Sequence, residues 1–333
     1  MHPPCSWRPR STAAPLSPAS ASKLPAGTGH RVSRSPAGGK RVRPPPFAWL
    51  GWIGSGGDRA GSQAEAALRT GAALEMFHAH GLIHDDVIDA PSTRRGAPVA
   101  HVMFADQHRA HRWRGDAEMF GTSAAILVGF LAQCWADDMV RTSGLPMSAQ
   151  QRVAPVWAEL RTEGLCRQLL DNRYRTASYT VERPLHIGAA TADADAGLVA
   201  ACRAFGVDVG IAFQLRDDLL GVFGAPEETG KPSGDDLAQG KHTVPVTAAL
   251  RYAEDQDPGA AEYLRARIGT RISDEDLSTM RAVITDVGAV EHVDRDIAAR
   301  TERAVGTLRA STATAPAKDR LAAMAISATQ RTS

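Results

Sequence analysis

Aromatic residues make up only 5% of this 333-residue chain, and cysteine occurs four times. Cys5, Cys134, Cys166 and Cys202 lie without metal or redox spacing, which excludes a disulfide scaffold or zinc module and fits buried thiols in a reducing cytoplasm. No strand-type alternation of apolar and polar residues persists for long, so a β-rich fold is not expected. The formal net charge is +1, and no global field argues for a nucleic-acid partner. No uninterrupted apolar run reaches the length that spans a bilayer. Acidic residues are missing from the start of the chain, the first being Asp58. Residues 1–37 are instead rich in Pro, Ser, Ala and Arg and read as a disordered tail unable to bury a core. Arg and Ser without acids also match an organelle transit peptide. The prolines oppose an amphipathic targeting helix, and the apolar stretch of a secretory signal is lacking.

What is present is helix after helix. Ser62 and Glu65 form a capping box ahead of Ala66, Leu68, Ala73, Leu74, Phe77 and Leu82, and Pro91 ends that run. A second helix is predicted over 116–143, stopped by Gly144 and Pro146, and Ser148 with Gln151 caps a third through the 160s. A long apolar helix follows over 194–223, then a Gly/Pro-rich loop over 224–242. Ser273 with Asp276 opens another helix, and 289–310 and 317–328 are the last two. The expectation is an all-α bundle occupying 38–333, with its site on facing helices around a central cavity.

Two aspartate clusters stand on those helices, His84-Asp85-Asp86-Val87-Ile88-Asp89 and Arg216-Asp217-Asp218-Leu219-Leu220. Asp85 and Asp89 are one helical turn apart and project from one face. Carboxylates held that close repel unless a cation lies between them, and hard oxygen donors with room for water and phosphate suit magnesium better than zinc. Ser92-Thr93-Arg94-Arg95-Gly96 follows the first cluster, and its adjacent guanidiniums point apart and can serve two anions. Lys40, Arg41 and Arg43 sit on a glycine-flanked turn upstream. His78 lies two turns before Asp85 on nearly the same face. Gln214 precedes the second cluster, and Lys231 and Lys241 lie on a glycine-rich loop suited to closing over a charged ligand. Taken singly, each cation also reads as a solvated surface residue, and His78 as a core histidine. Together they point to a diphosphate ester bridged by metal ions.

These residues resemble the trans-isoprenyl diphosphate synthases, also called polyprenyl synthetases. Leu82 through Asp89, with Arg94-Arg95-Gly96, Pro98 and His101, is similar to the first aspartate-rich motif of that family, and Phe213-Gln214-Leu215-Arg216-Asp217-Asp218 to the second. Gly39 to Pro44, Gly230-Lys231-Pro232 and Gly240-Lys241-His242-Thr243 match three further signatures in order. Ala136-Asp137-Asp138-Met139 and Tyr179 to Leu185 resemble bacterial members that make geranylgeranyl or related diphosphates. The resemblance implies an isoprenoid-synthase-type bundle and a magnesium-dependent prenyltransferase that condenses isopentenyl diphosphate with an allylic diphosphate. It implies metal binding by Asp85, Asp89 and Asp217, with Asp86 and Asp218 in support. Arg94, Thr176, Gln214, Lys231 and Lys241 would contact the allylic diphosphate, and Lys40, Arg43, His78 and Arg95 isopentenyl diphosphate. A cytoplasmic homodimer is implied as well. The growing tail would descend past Gly81 toward His80 and Phe77, which implies a product of about fifteen to twenty carbons.

Several positions depart from the family pattern. Gly221 stands where the second cluster usually ends in a third aspartate, Phe130 follows Gly129 in place of aspartate, Arg175 replaces lysine, and Arg167 replaces glycine. The helix that usually precedes Gly38 is replaced by the proline-rich tail. Between Asp171 and Arg175 only Asn172, Arg173 and Tyr174 remain, where the family completes one helix and begins the next. So short a link predicts one continuous or kinked helix over 148–180, with Arg175 carried away from the diphosphate. Two other readings therefore stand beside the active synthase. One is an impaired or regulatory relative that binds ligand without turnover. The other is a class I terpene cyclase, against which stand Lys40, Arg43, His78 and Lys241, cations that an enzyme with one diphosphate does not need.

Overall fold

Hydrophobic periodicity and small-residue packing build a bundle of α-helices, shown by a computed structural model that describes residues 44–94, 96–170, 178–225 and 233–330. All of them fall within the unit Lys40–Ser333. The all-α expectation holds, since the sole described strands are the two-residue pair β1 (Thr93–Arg94) and β2 (Ala97–Pro98). The first element, α1 (Pro44–Gly54), was not legible as a helix because Phe47, Ala48, Leu50, Trp52 and Ile53 bury nearly all its sides, which leaves no amphipathic period to read. Next comes α2 (Ala64–Asp89), with Gln63 before it and no side-chain cap. The capping box is overturned because Glu65 pairs with Arg69 one turn on instead of reaching back.

A second unforeseen helix, α3 (Ala100–Ala110), leads into α4 (Ala117–Arg141), where the Asp116 carboxylate caps the Met119 N–H at 2.7 Å. Helix α4 packs along α2 and α3. The next helix, α5 (Met147–Leu170), is tied to α4 by Asp137, which accepts from Trp157 and Arg161, each at 2.7 Å.

The shortened region gives a correction. After α5 the described chain resumes with a π-helical turn over Ser178–Glu182 and α6 (Arg183–Thr191), and α6 runs antiparallel beside α5. Arg152 donates to the Ala190 carbonyl at 2.8 Å, while Arg183 pairs with Glu159 at 2.8 Å and with Glu163. Early α5 thus meets late α6, and late α5 meets early α6. A single continuous helix would strand the buried Arg183 without its carboxylates and expose Val153, Val156 and Leu160, which pack with Ile187 and Ala190. Thr176 and Arg175 lie outside the described residues.

Helix α6 is also clamped to α1, where Gly51 faces the Leu185 backbone and Gly188 faces the backbone of Ala48 and Trp52, so a Cβ on either would collide with the opposite helix. Helix α7 (Ala196–Phe223), capped by Asp195, packs on α6 and on the later helix over Ala289–Ala310. The remaining helices are α8 (Asp235–Ala238), α9 (Val244–Gln256), α10 (Pro258–Arg267), α11 (Asp274–Asp286), α12 (Ala289–Ala310) and α13 (Ala315–Thr329). Ser273 caps α11 as expected, through the Asp276 N–H at 3.1 Å.

Two helices correct the expectation about apolar length. Both α4 and α7 are long and apolar enough, by composition alone, to cross a bilayer, with mean hydropathy of 1.5 and 1.6 in their best windows. Among the described cysteines only Cys202 is buried, while Cys134 is exposed.

Candidate active site

Both aspartate clusters occupy the C-terminal turns of long helices. Helix α2 ends at Asp89, where Ala90 turns left-handed at φ 50°, and α7 ends a few residues beyond Asp218. The carbonyl ends of aligned peptide dipoles carry about half a negative charge, and neither helix places a basic residue in its last turn. Carboxylates and helix dipole therefore add to one negative potential at each end. Such an arrangement is stable only with cations nearby.

Within each cluster the two adjacent aspartates have different surroundings. Asp86 is 6% exposed and accepts from Arg94, whose Nε and Nη2 both lie 2.7 Å from Oδ1. Arg94 is delivered by the β1–β2 hairpin, whose turn needs Gly96 at φ 73°. Asp218 is 5% exposed and accepts from Gln214 Nε2 at 2.7 Å, one turn away. Their neighbours Asp85 and Asp217 are half-buried, and Asp89 is exposed. Buried polar groups need partners, so Arg94 and Gln214 orient the inner carboxylates. Among the described residues no three His, Cys, Asp or Glu side chains draw together as a self-sufficient metal cage. That donor chemistry fits a hard cation such as magnesium, which completes its shell with water and phosphate oxygens.

Gly221 has an explanation that sequence reasoning missed. A Cβ there would collide with the carboxylate of Asp236 on α8, so an acid from the following loop occupies the place of the third aspartate. Lys241 Nζ donates to the same Asp236 at 3.1 Å, which ties the lysine to the second cluster's end of α7. Asp236 was visible as part of Gly234-Asp235-Asp236, but nothing in its spacing announced the contact.

Next to the first cluster is a hollow of about 20 Å³, lined by Phe77, His78, Gly81, Asp85, Gly164 and Tyr179 together with His80 and Leu82. That is room for about one water. His78, Gly81, His80 and Phe77 thus gather beside Asp85 as their helical spacing implies. The Phe77 ring packs edge-on to Trp157 at 6.0 Å, and any side chain on Gly164 would press it, a Cβ falling 2.8 Å from Cζ. The His80 Nδ1–H donates to the Gly129 carbonyl at 3.0 Å. Burial lowers the pKa of His80, with His84 adding to the effect. Tyr179 stacks on His78, its hydroxyl 3.2 Å from Nδ1, and comes from the π-helical turn anchored by buried Glu182 to Arg203 at 2.6 Å. Gly164 is a site residue that sequence reasoning did not pick out, and Tyr179 was read only as part of a bacterial-type signature. Phe130 packs edge-on to His84 at 5.2 Å, so an aromatic contact replaces the usual aspartate there.

Lys40, Arg43, Arg95 and Lys231 lie outside the described residues, as does Thr176. Of the diphosphate-binding expectations the structure thus describes Arg94, Gln214, Lys241 and His78. The first three each hold an aspartate of the two clusters or of the α8 turn.

Residues 31–284 match the family model for polyprenyl synthetase. A solved geranylgeranyl pyrophosphate synthase from Corynebacterium glutamicum, in complex with isoprenyl diphosphate and magnesium, is 42% identical with a TM-score of 0.81, covering 89% of this chain and 87% of that one. Geranylfarnesyl diphosphate synthase from Aeropyrum pernix is 32% identical over 288 residues, covering 80% of this chain and 82% of the relative. Geranylgeranyl diphosphate synthase from Mycobacterium tuberculosis is 32% identical over 234 residues, covering 69% of this chain and 65%, just under two thirds, of the relative. With both aspartate clusters on helix ends, and with matches of this extent, the chain belongs to the polyprenyl synthetase family.

Proposed function

We propose that the chain condenses isopentenyl diphosphate with an allylic diphosphate, using magnesium, to give a prenyl diphosphate of about fifteen to twenty carbons. The observation that carries this reading is the pair of carboxylate clusters at the negative ends of α2 and α7, each with one buried aspartate oriented by a neighbour. Asp85, Asp89 and Asp217 would hold the metal, which supplies charge neutralisation for a departing diphosphate. Arg94 and Gln214 keep the inner aspartates aimed. Lys241, held by Asp236, brings a cation to the same end of α7. Cleavage of the allylic carbon–oxygen bond sends its electron pair to the diphosphate. The allylic cation then adds to the isopentenyl double bond, and one proton is lost. The apolar wall at Phe77 and Leu82 excludes water from that cation.

The impaired-relative reading rested on a lost chain reversal, and the antiparallel packing of α5 and α6 removes that argument. Incubation with magnesium, labelled isopentenyl diphosphate and farnesyl diphosphate is expected to give chain-elongated product. Hydrocarbon with released diphosphate would indicate a cyclase instead, and unchanged substrate a non-catalytic relative.

A homodimer completes this reading. Helix α4 turns Met119, Ile126, Leu127 and Phe130 outward, with Met119 68% and Leu127 69% exposed. Apolar exposure of that extent along one helix marks an association surface, and a second copy of the same helix is its natural complement. Leu127→Arg is expected to give monomers by light scattering while retaining helical content. A variant that remains dimeric would place the interface elsewhere. The free described cysteines are consistent with a reducing cytoplasm as the site of action.

A further inference from the structure

A cleft of about 240 Å³ lies between the first half of α9 and the start of α12, away from the aspartate helices. Val244, Thr247, Ala248 and Arg251 line it from one face of α9, at helical spacing, with Tyr252 beside them. His242 closes one end, and His292 comes from the first turn of α12.

The lining has one electrical character. It holds a guanidinium, two imidazoles, a phenol and a hydroxyl, and no carboxylate is among the described residues that line it. The Arg251 guanidinium carbon lies 5.7 Å from the Tyr252 ring centroid, and Tyr252 meets His292 edge-on at 5.7 Å, so these three side chains form one braced wall. Gln256 Nε2 donates to the Val287 carbonyl at 3.3 Å and fixes α9 to the segment entering α12. The amino end of α9 opens beside this wall without a side-chain cap or an acidic residue in its first turn. Thr243, between the lining residues His242 and Val244, is buried with its hydroxyl unpartnered among the described residues. A helix amino end, an arginine and two histidines together select an anion with several acceptor oxygens.

We propose that this cleft is a second anion site, separate from the aspartate clusters, that takes a diphosphate group. A diphosphate presents acceptor oxygens at both of its ends and so can meet donors on α9 and on α12 together. The chemistry is the same for free inorganic diphosphate and for the head of a prenyl diphosphate ester. Val244 and Ala248 offer an apolar patch that only the ester would use. His242 directly follows Lys241, so occupancy of the cleft is linked through one peptide bond to the lysine that holds Asp236.

The test uses the full chain in magnesium-free buffer, where the aspartate clusters repel diphosphate. Histidine resonances, assigned through His242→Gln and His292→Gln, are followed by NMR during titration with inorganic diphosphate. The expected result is a saturable shift of His242 and His292 that persists in Asp85→Asn and weakens by about tenfold in Arg251→Ala. A parallel titration uses a farnesyl diphosphate whose bridging oxygen is replaced by sulfur. Tighter binding of that compound assigns the cleft to the ester, and equal or weaker binding assigns it to the free anion. Absence of a saturable shift in both titrations, loss of the shift in Asp85→Asn, or equal affinity in Arg251→Ala with an unchanged circular dichroism spectrum would overturn the proposal. Failure of the prenyl-transfer assay alone would leave this binding result untouched.

Discussion

Asp85→Asn is expected to lower kcat by about three orders of magnitude, roughly 4 kcal/mol of barrier, with little change in thermal stability. The substitution keeps the shape and removes one negative charge from the end of α2, so its main effect falls on the cation site. Asp85 is half-buried and lines the hollow, whereas Asp86 is the carboxylate that pairs with Arg94. The neighbouring Asp86→Asn provides the contrast. It weakens the charge-assisted bonds to Arg94 Nε and Nη2, so it should cost about 2 kcal/mol of folding stability as well as activity. Incorporation of labelled isopentenyl diphosphate and thermal unfolding of both variants separate the two roles. More than a tenth of wild-type turnover in Asp85→Asn would remove that residue from the metal set.

Contrasts of this kind explain what could be read from residues alone. The long helices α2, α7 and α12 were legible because their apolar residues recur with helical period and their ends carry ordinary stop signals. Asp85 and Asp89 were legible as a pair because four-residue spacing fixes a shared face. Helices α1, α3, α6, α8, α9 and α10 were not. Helix α1 is buried on nearly all sides and shows no stripe, α6 is short and follows the stretch read as one continuous helix, α9 follows a glycine-rich loop that hides its start, and α10 is set off from α9 by Asp257 alone. The reversal between α5 and α6 was misread because link length was weighed without the buried Arg183, whose carboxylates on α5 require antiparallel packing. Asp236 filling the space beside Gly221 is a contact between α8 and α7, invisible to periodicity. In each case the missed feature depends on tertiary partners, whereas the legible ones depend on local spacing.

Phe77→Ala is expected to shift the product toward longer chains by one or more isoprene units while destabilising the fold by about 3–5 kcal/mol. Phe77 is 5% exposed and sits in the cluster with Leu74, Trp157 and Leu160, so removing its ring leaves a cavity in the core. The same ring lines the small hollow by Asp85, and His80 packs on it at a centroid distance of 5.6 Å. On the proposed reading, a prenyl tail growing away from the aspartates would meet those two rings as a floor. His80 cannot swing aside without giving up the Gly129 carbonyl, which leaves Phe77 as the removable element. Because the core loss alone can reduce yield, Gly164→Ala supplies the opposite change at the same ring. Its Cβ presses Phe77 toward the hollow and should shorten the product or slow the last addition. Chromatography of dephosphorylated products from both variants tests the floor in two directions. An unaltered chain-length distribution in both would place the floor on other side chains.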